Sequence, residues 1–272
     1  MSTVSAENAK NANVLDWRTQ AIPEPLERKT ALDYHNIEID LNNAMANEEL
    51  VSAREYNLSG ASYYARKDLL NPPYYKAFSK ALDDIFIRKS VAKRLVMVNQ
   101  VLSPYGVELF LLDCYRPIEL QKEVWDHFLD RAREVLSDPD ESSVTEYAGQ
   151  YCSDPSKFSR EDYKTWPTHT TGGACDLTLR AKETGEHLFF GSVFDDASEI
   201  SYTTHFEKKD SLTSSEEEAR ANRRLLYWAM VSTGFANYPL EWWHYDLGTQ
   251  MWVMNSHESN NKAYYGYIDS PV

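Results

Sequence analysis

Hydrophobic and polar residues alternate along Ala174 to Leu179 as they do in a strand, with Ala174, Asp176 and Thr178 on one face and Cys175, Leu177 and Leu179 on the other. The pattern predicts a half-buried strand whose apolar face packs on a core and whose polar face aims Asp176 at a cleft. Ile37-Glu38-Ile39-Asp40-Leu41 also alternates and predicts a strand. Val107 to Tyr115 is the most strongly apolar short run, a buried strand that delivers Arg116-Pro117 at its end. Leu188-Phe189-Phe190 reads as a strand returning from the turn at Lys182-Glu183-Thr184-Gly185, and a last strand is expected near Met251 to Met254.

Helical periodicity fills the intervals. After Pro72-Pro73 a long helix is expected from about Tyr74 to Leu102, with Ala77, Ala81, Ile85 and Lys89 along one line and Pro104 and Gly106 ending it. Ile118 to Leu136 reads as a second helix, with Leu120, Val124, Phe128 and Leu136 towards the core. Ser215-Glu216-Glu217-Glu218 reads as a capping box opening a helix to Thr233, with Arg220, Arg223 and Arg224 on its wet face and Gly234 as its stop. Between the second and third helices, Ser137 to Trp166 is polar and twice carries Asp-Pro, as a surface excursion with short helical pieces does. This mixture predicts an α+β fold: a small, mostly antiparallel sheet with helices packed on it and a cleft at the sheet edge.

Composition narrows the function classes. A net charge of −14 over 272 residues argues against nucleic acid or an anionic membrane as partner. The three cysteines, Cys114, Cys152 and Cys175, lie far apart in no metal-type spacing, which fits a reducing compartment. Met1 to Gln20 lacks a signal-peptide core, and no run approaches a membrane span, so a soluble cytoplasmic protein is expected. Residues 1–25 are expected to be partly disordered and 26–272 to form one domain; oligomeric state is left open.

The chemistry starts at His169, which the Gly172-Gly173 turn can fold back towards Asp176. Alone, a histidine beside a carboxylate is more often a surface pair or a satisfied core group. Tyr238-Pro239-Leu240-Glu241-Trp242-Trp243-His244 supplies a third ligand, His244, and three protein ligands leave a zinc ion an open position for water. Pro239 keeps Glu241 in a turn before a strand that starts near Trp242, so Glu241 can lean over the metal as a general base. Arg116, fixed at a strand end, is a ready oxyanion partner, its bland alternative being a surface salt bridge. His35, His127, His187, His205 and His257 have no partner spacing, and His205 is expected to be exposed.

Pro167-Thr168-His169-Thr170-Thr171-Gly172-Gly173-Ala174-Cys175-Asp176 and Glu241-Trp242-Trp243-His244 resemble the two motifs of the D-alanyl-D-alanine dipeptidases of the VanX type, zinc metallopeptidases with the LAS-type fold. Tyr115-Arg116-Pro117, Gly191-Ser192-Val193-Phe194-Asp195, Arg223 to Tyr227 and the Asn57 to Tyr64 segment also look like that family, over about Tyr34 to Trp252. The resemblance implies one zinc held by His169, Asp176 and His244, Glu241 as base and Arg116 stabilising the tetrahedral intermediate. It implies that Asp195 receives the free amino group of a small D,D-dipeptide in cell-wall metabolism. Salvage and glycopeptide resistance are not separated. The alternatives are a peptidase of longer cell-wall stem peptides and a non-enzymatic peptide-binding protein. Pro167 stands where the family has Ser, and Thr168 or Thr170 is the expected stand-in for the missing hydroxyl.

Overall fold

The computed structural model describes residues 16–25, 33–149, 151–196, 198–256 and 262–271. Of the segment 1–25 expected to be partly disordered, residues 1–15 lie outside them, as does His257. Among the described residues seven strands occur: β1 (Leu50–Ser52), β2 (Ser59–Gly60), β3 (Phe86–Arg88), β4 (Val107–Asp113), β5 (Ala174–Ala181), β6 (Ala236–Asn237) and β7 (His244–Asp246). β1 and β3 pair on their own, while the main sheet runs β2-β4-β5-β7-β6, antiparallel except for the β2–β4 pair. The expected α+β architecture is the observed one.

The helices are α1 (Lys89–Leu102), α2 (Ile118–Val135), α3 (Glu141–Gly149), α4 (Ser214–Ser232) and α5 (Gln250–Asn255). Val91, Leu95, Val98 and Leu102 of α1 and Leu225, Leu226, Ala229 and Met230 of α4 share one core with Cys175, Leu177 and Leu179 of β5. Burial of such side chains contributes roughly 1.5–3 kcal/mol each before the entropy of ordering the chain is subtracted. β5 is buried on both faces from Ala174 to Leu179, not half-buried, because its polar face is covered by the site described below. The excursion after α2 folds as α3 and short 3-10 turns, and it docks through stacking of Tyr151 on Phe128 at 4.7 Å.

Several expectations are corrected. The helix expected from Tyr74 begins only at Lys89. Upstream of it Tyr75 takes a left-handed φ of 50°, and the Asn71 amide donates to the carbonyls of Tyr63 and Lys76. Tyr74 and Phe78 close an aromatic cluster with Tyr64, so their four-residue spacing comes from a loop folded onto itself. Ile37 to Leu41 contributes only a single bridge, Ile39 to Ala263, and Leu188 to Phe190 adds a backbone bond to Leu179 without becoming a strand. Met251 to Met254 lies in α5, capped by the Thr249 side chain. The capping box of α4 is built on Thr213 with Glu216 rather than on Ser215. Arg223 is buried, donating to the carbonyls of Phe190, Tyr202 and Ile200, and Arg224 pairs with Glu207; neither forms a wet face. His205 is half-buried. No helix of the described residues is long and apolar enough to cross a membrane.

Candidate active site

Three strands line up one row of the site. Asp113 of β4 lies opposite Asp176 of β5, and Asp176 lies opposite His244 of β7. The β4–β5 register shifts between Leu111 and Asp113, and such a bulge re-aims the residue that follows it. His169 joins from a 3-10 turn, Thr168–Thr171, which ends on Gly172 at φ 72°. The left-handed backbone favours glycine there, and a side chain at Gly172 would also have to displace the end of the Leu50 side chain, 2.5 Å away. Ligand atoms of His169, Asp176 and His244 all lie within 4.8 Å of one another, and all three residues are buried.

The second nitrogen of each imidazole is committed elsewhere. His169 Nδ1 donates to the Cys114 carbonyl at 2.7 Å, leaving the Nε2 lone pair 3.3 Å from Asp176. His244 Nε2 faces the fully buried Asp246 carboxylate at 2.8 Å, and its Nδ1 lies 3.0 Å from Asp176 Oδ1. Asp246 also accepts from the hydroxyls of Thr168 and Thr249, both at 2.7 Å. With its proton on Nε2, His244 turns a nitrogen lone pair towards a carboxylate oxygen, which repels unless a cation or a second proton lies between them. The donor set of a carboxylate and two imidazoles, each imidazole with an outer partner, fits a zinc ion.

The charges follow from the same contacts. Burial lowers the pKa of His169. Burial opposes protonation of His244 too, but Asp246 and Asp176 outweigh it and hold the imidazole well above its usual range. Burial would raise Asp176, yet His169, His244 and Arg116 together keep it below the ordinary carboxylate value.

Glu241 sits in the turn before β7, which starts at His244 rather than near Trp242. The Asn237 amide donates to the carbonyls of both Glu241 and His244, and Glu241 Oε2 comes 3.7 Å from His244 Nδ1. The turn thus puts carboxylate and ligand on the same side, which a straight strand would not do. Burial, with Asp176 and Asp195 adding to it, pushes the Glu241 carboxyl up to about 8.

Arg116 is buried, not a surface arginine. Its Nε and Nη2 bind Asp113 at 2.8 and 2.7 Å, Nη1 donates to Gln121 at 3.0 Å and Nη2 to the Tyr64 hydroxyl at 2.9 Å. These contacts leave one Nη1 hydrogen uncommitted, and Nη2 lies 3.5 Å from Asp176. Asp195, at a left-handed φ of 57°, accepts through Oδ2 from the hydroxyls of Tyr64 and Tyr74 at 2.8 and 2.7 Å. Its carboxyl is raised to about 7 by burial and by Asp176, against the pull of Arg116 and the two tyrosines.

All six residues singled out from the sequence line one cleft of about 100 Å³, together with Tyr34, Ser153 and Pro167. Thr168 and Thr170 do not replace the missing hydroxyl of Pro167: the first donates to Asp246 and the second to the Pro167 carbonyl. Sequence reasoning missed Asp113, Asp246 and Tyr74 as partners, and it reached Tyr64 only as the end of the Asn57 to Tyr64 segment, without its bonds to Arg116 and Asp195. Asp246 was findable, since a carboxylate two residues beyond a strand histidine shares its face. The tyrosines sit on loops, and no spacing signals them.

A family model described as D-ala-D-ala dipeptidase matches residues 74–263. A D-alanyl-D-alanine dipeptidase of Synechocystis sp. is 29% identical over 200 residues, spanning 67% of this chain and 79% of its own length. One from Enterococcus faecium is 30% identical over 158 residues, 58% of this chain and 70% of its own. One from Escherichia coli (strain K12) is 31% identical over 142 residues, 52% and 56% of the respective chains.

Proposed function

Because the chain belongs to the D-ala-D-ala dipeptidase family of the M15 peptidases, we propose that it hydrolyses D-alanyl-D-alanine to free D-alanine with a zinc ion held by His169, Asp176 and His244. The observation that carries this reading is the convergence of those three donors within 4.8 Å, with Glu241 beside them. When bound, zinc supplies Lewis acidity at the scissile carbonyl and acidifies water at the site. Glu241 takes a proton from the attacking water and returns it to the amine nitrogen that leaves. Arg116 donates an N–H to the carbonyl oxygen as it gains charge, and Asp113 holds the guanidinium in place for that role. Asp195 keeps Oδ1 for the substrate ammonium while Tyr64 and Tyr74 occupy Oδ2.

Asp195 also sets the substrate's length. A longer peptide presents a neutral amide where the ammonium should sit, and leaves a desolvated carboxylate unpaired. That disfavours the stem-peptide alternative. We place the reaction in the cytoplasm, a reducing compartment that suits three free cysteines.

The test is D-alanine release from D-Ala-D-Ala by zinc-loaded protein, wild type against Glu241→Gln. Glutamine keeps the shape and cannot accept the proton, so zinc content should stay at about one per chain while turnover falls by roughly 10²–10⁴. Release of the metal by Glu241→Gln would make Glu241 a ligand and remove it as the base.

A further inference from the structure

We propose that the hydroxyls of Tyr34 and Ser153 receive the C-terminal carboxylate of the dipeptide. The inference rests on the dipeptidase reading and supplies the other end of its substrate.

A chain of hydrogen bonds runs along the cleft from Asp195 to the far end. Asp195 accepts from Tyr64, Tyr64 accepts from Arg116, and Arg116 donates to the Gln121 side-chain carbonyl. The Gln121 amide donates in turn to the backbone carbonyl of Ser153 at 2.9 Å, and Ser153 Oγ meets the Tyr34 hydroxyl at 3.1 Å. All of these residues line the same cleft. Along this path Arg116, the group assigned to the scissile carbonyl, stands between Asp195 and the Tyr34–Ser153 pair. A dipeptide has its ammonium one residue before that carbonyl and its carboxylate one residue after it. With the ammonium on Asp195, the carboxylate is directed towards Tyr34 and Ser153.

The chemistry of that end suits an anion. Among the described residues the two hydroxyls bond to each other alone, so they share a single hydrogen bond and leave one proton to give. Burial holds the Tyr34 phenol far above its ordinary range, so it remains a donor. Its neighbours offer little competition. Pro167 on the same wall has neither hydroxyl nor N–H, and the Thr168 and Thr170 hydroxyls donate elsewhere. Asp246, a carboxylate in electrostatic reach of Tyr34, already accepts from His244, Thr168 and Thr249. Gln121 links the pair to Arg116 through its two amide ends, so the carboxylate receptor and the oxyanion donor are held in one frame.

The experiment measures binding, so that it does not depend on turnover. Zinc-loaded Glu241→Gln protein is titrated calorimetrically with D-Ala-D-Ala and with its C-terminal amide, in the Tyr34 form and with Tyr34→Phe or Ser153→Ala added. The acid should bind at least tenfold more tightly than the amide, and either added substitution should cut that ratio to threefold or less by weakening the acid alone. Both changes remove only an oxygen, so a merely structural effect would weaken acid and amide together. Equal binding of acid and amide, a ratio that survives both substitutions, parallel loss of both ligands, or no dipeptide binding at all would overturn the assignment. Failure of the hydrolytic reading is separate: it would appear as no D-alanine release by wild-type protein, while the acid-to-amide ratio stays readable.

Discussion

Asp246 touches no substrate in this scheme, yet removing its charge should loosen the metal. Its carboxylate accepts His244 Nε2–H through one oxygen and the Thr168 and Thr249 hydroxyls through the other. Asp246→Asn can keep its carbonyl on Nε2, because the two hydroxyls can rotate and accept from the new amide. The tautomer that frees Nδ1 is then retained and only the negative charge is lost. Outer partners of this kind typically matter by roughly 10–100-fold in metal affinity, about 1.4–2.8 kcal/mol, and the asparagine belongs near the lower limit. Asp246→Ala strands Nε2–H and two buried hydroxyls and belongs near the upper one. Competition for zinc against a chromophoric chelator at fixed pH measures both, with circular dichroism confirming the fold. Zinc affinity within twofold of wild type in the alanine variant would refute the claim that Asp246 sets the state of His244.

Two other outcomes follow from the same geometry. Arg116→Ala should lower kcat by on the order of a hundredfold or more with a small change in KM, because its donor acts on charge that appears in the transition state; an unchanged kcat with a raised KM, in steady-state assays on D-Ala-D-Ala, would assign it to ground-state binding. Asp195→Asn should shrink the preference for free over N-acetylated dipeptide by roughly 10–100-fold in kcat/KM, the worth of a hydrogen bond to a charged group, and wild-type protein that cleaves both forms equally would remove Asp195 from the site.

The residues that carry the chemistry were legible because chemistry constrains residue type at short range. His169, Gly172 and Asp176 fall within one turn and one strand, and Glu241 and His244 within another, so local spacing places them. The long elements α2 and α4 and the strands β4 and β5 were legible because their apolar period matches their geometry. The failures share one cause: partners distant in sequence that decide what a local pattern becomes. Ala77, Ala81, Ile85 and Lys89 carry a helical spacing, but Asn71 bonds and the Tyr64 ring draw the segment into a loop, and Phe86–Arg88 is taken by β1. Arg223 belongs to a run of charges that reads as solvated, yet carbonyls 21 to 33 residues away claim it.

Arg88 shows how far such distant partners reach into the site. It is buried, no carboxylate among the described residues is bonded to it, and burial lowers its pKa to about 10. Its Nε donates to the carbonyl of Thr171 at 2.7 Å, Nη2 to that of Gly266 at 2.9 Å, and Nη1 to that of Glu48, while the guanidinium lies over the Tyr265 ring. One side chain therefore ties the turn that presents His169 to the loop at Glu48, 40 residues before Arg88, and to the C-terminal tail. The tail adds its own hold, since Ile268 N–H donates to the Thr170 carbonyl and the Tyr115 hydroxyl to that of Ile268. A metal ligand must be fixed to within a fraction of an ångström to favour the bound geometry. The turn of His169 is too short to fix itself, having a single 3-10 turn and a left-handed glycine. The polar, tyrosine-rich tail, which has no chemical motif of its own, supplies that rigidity from outside, so it is part of the metal site's construction without touching the metal.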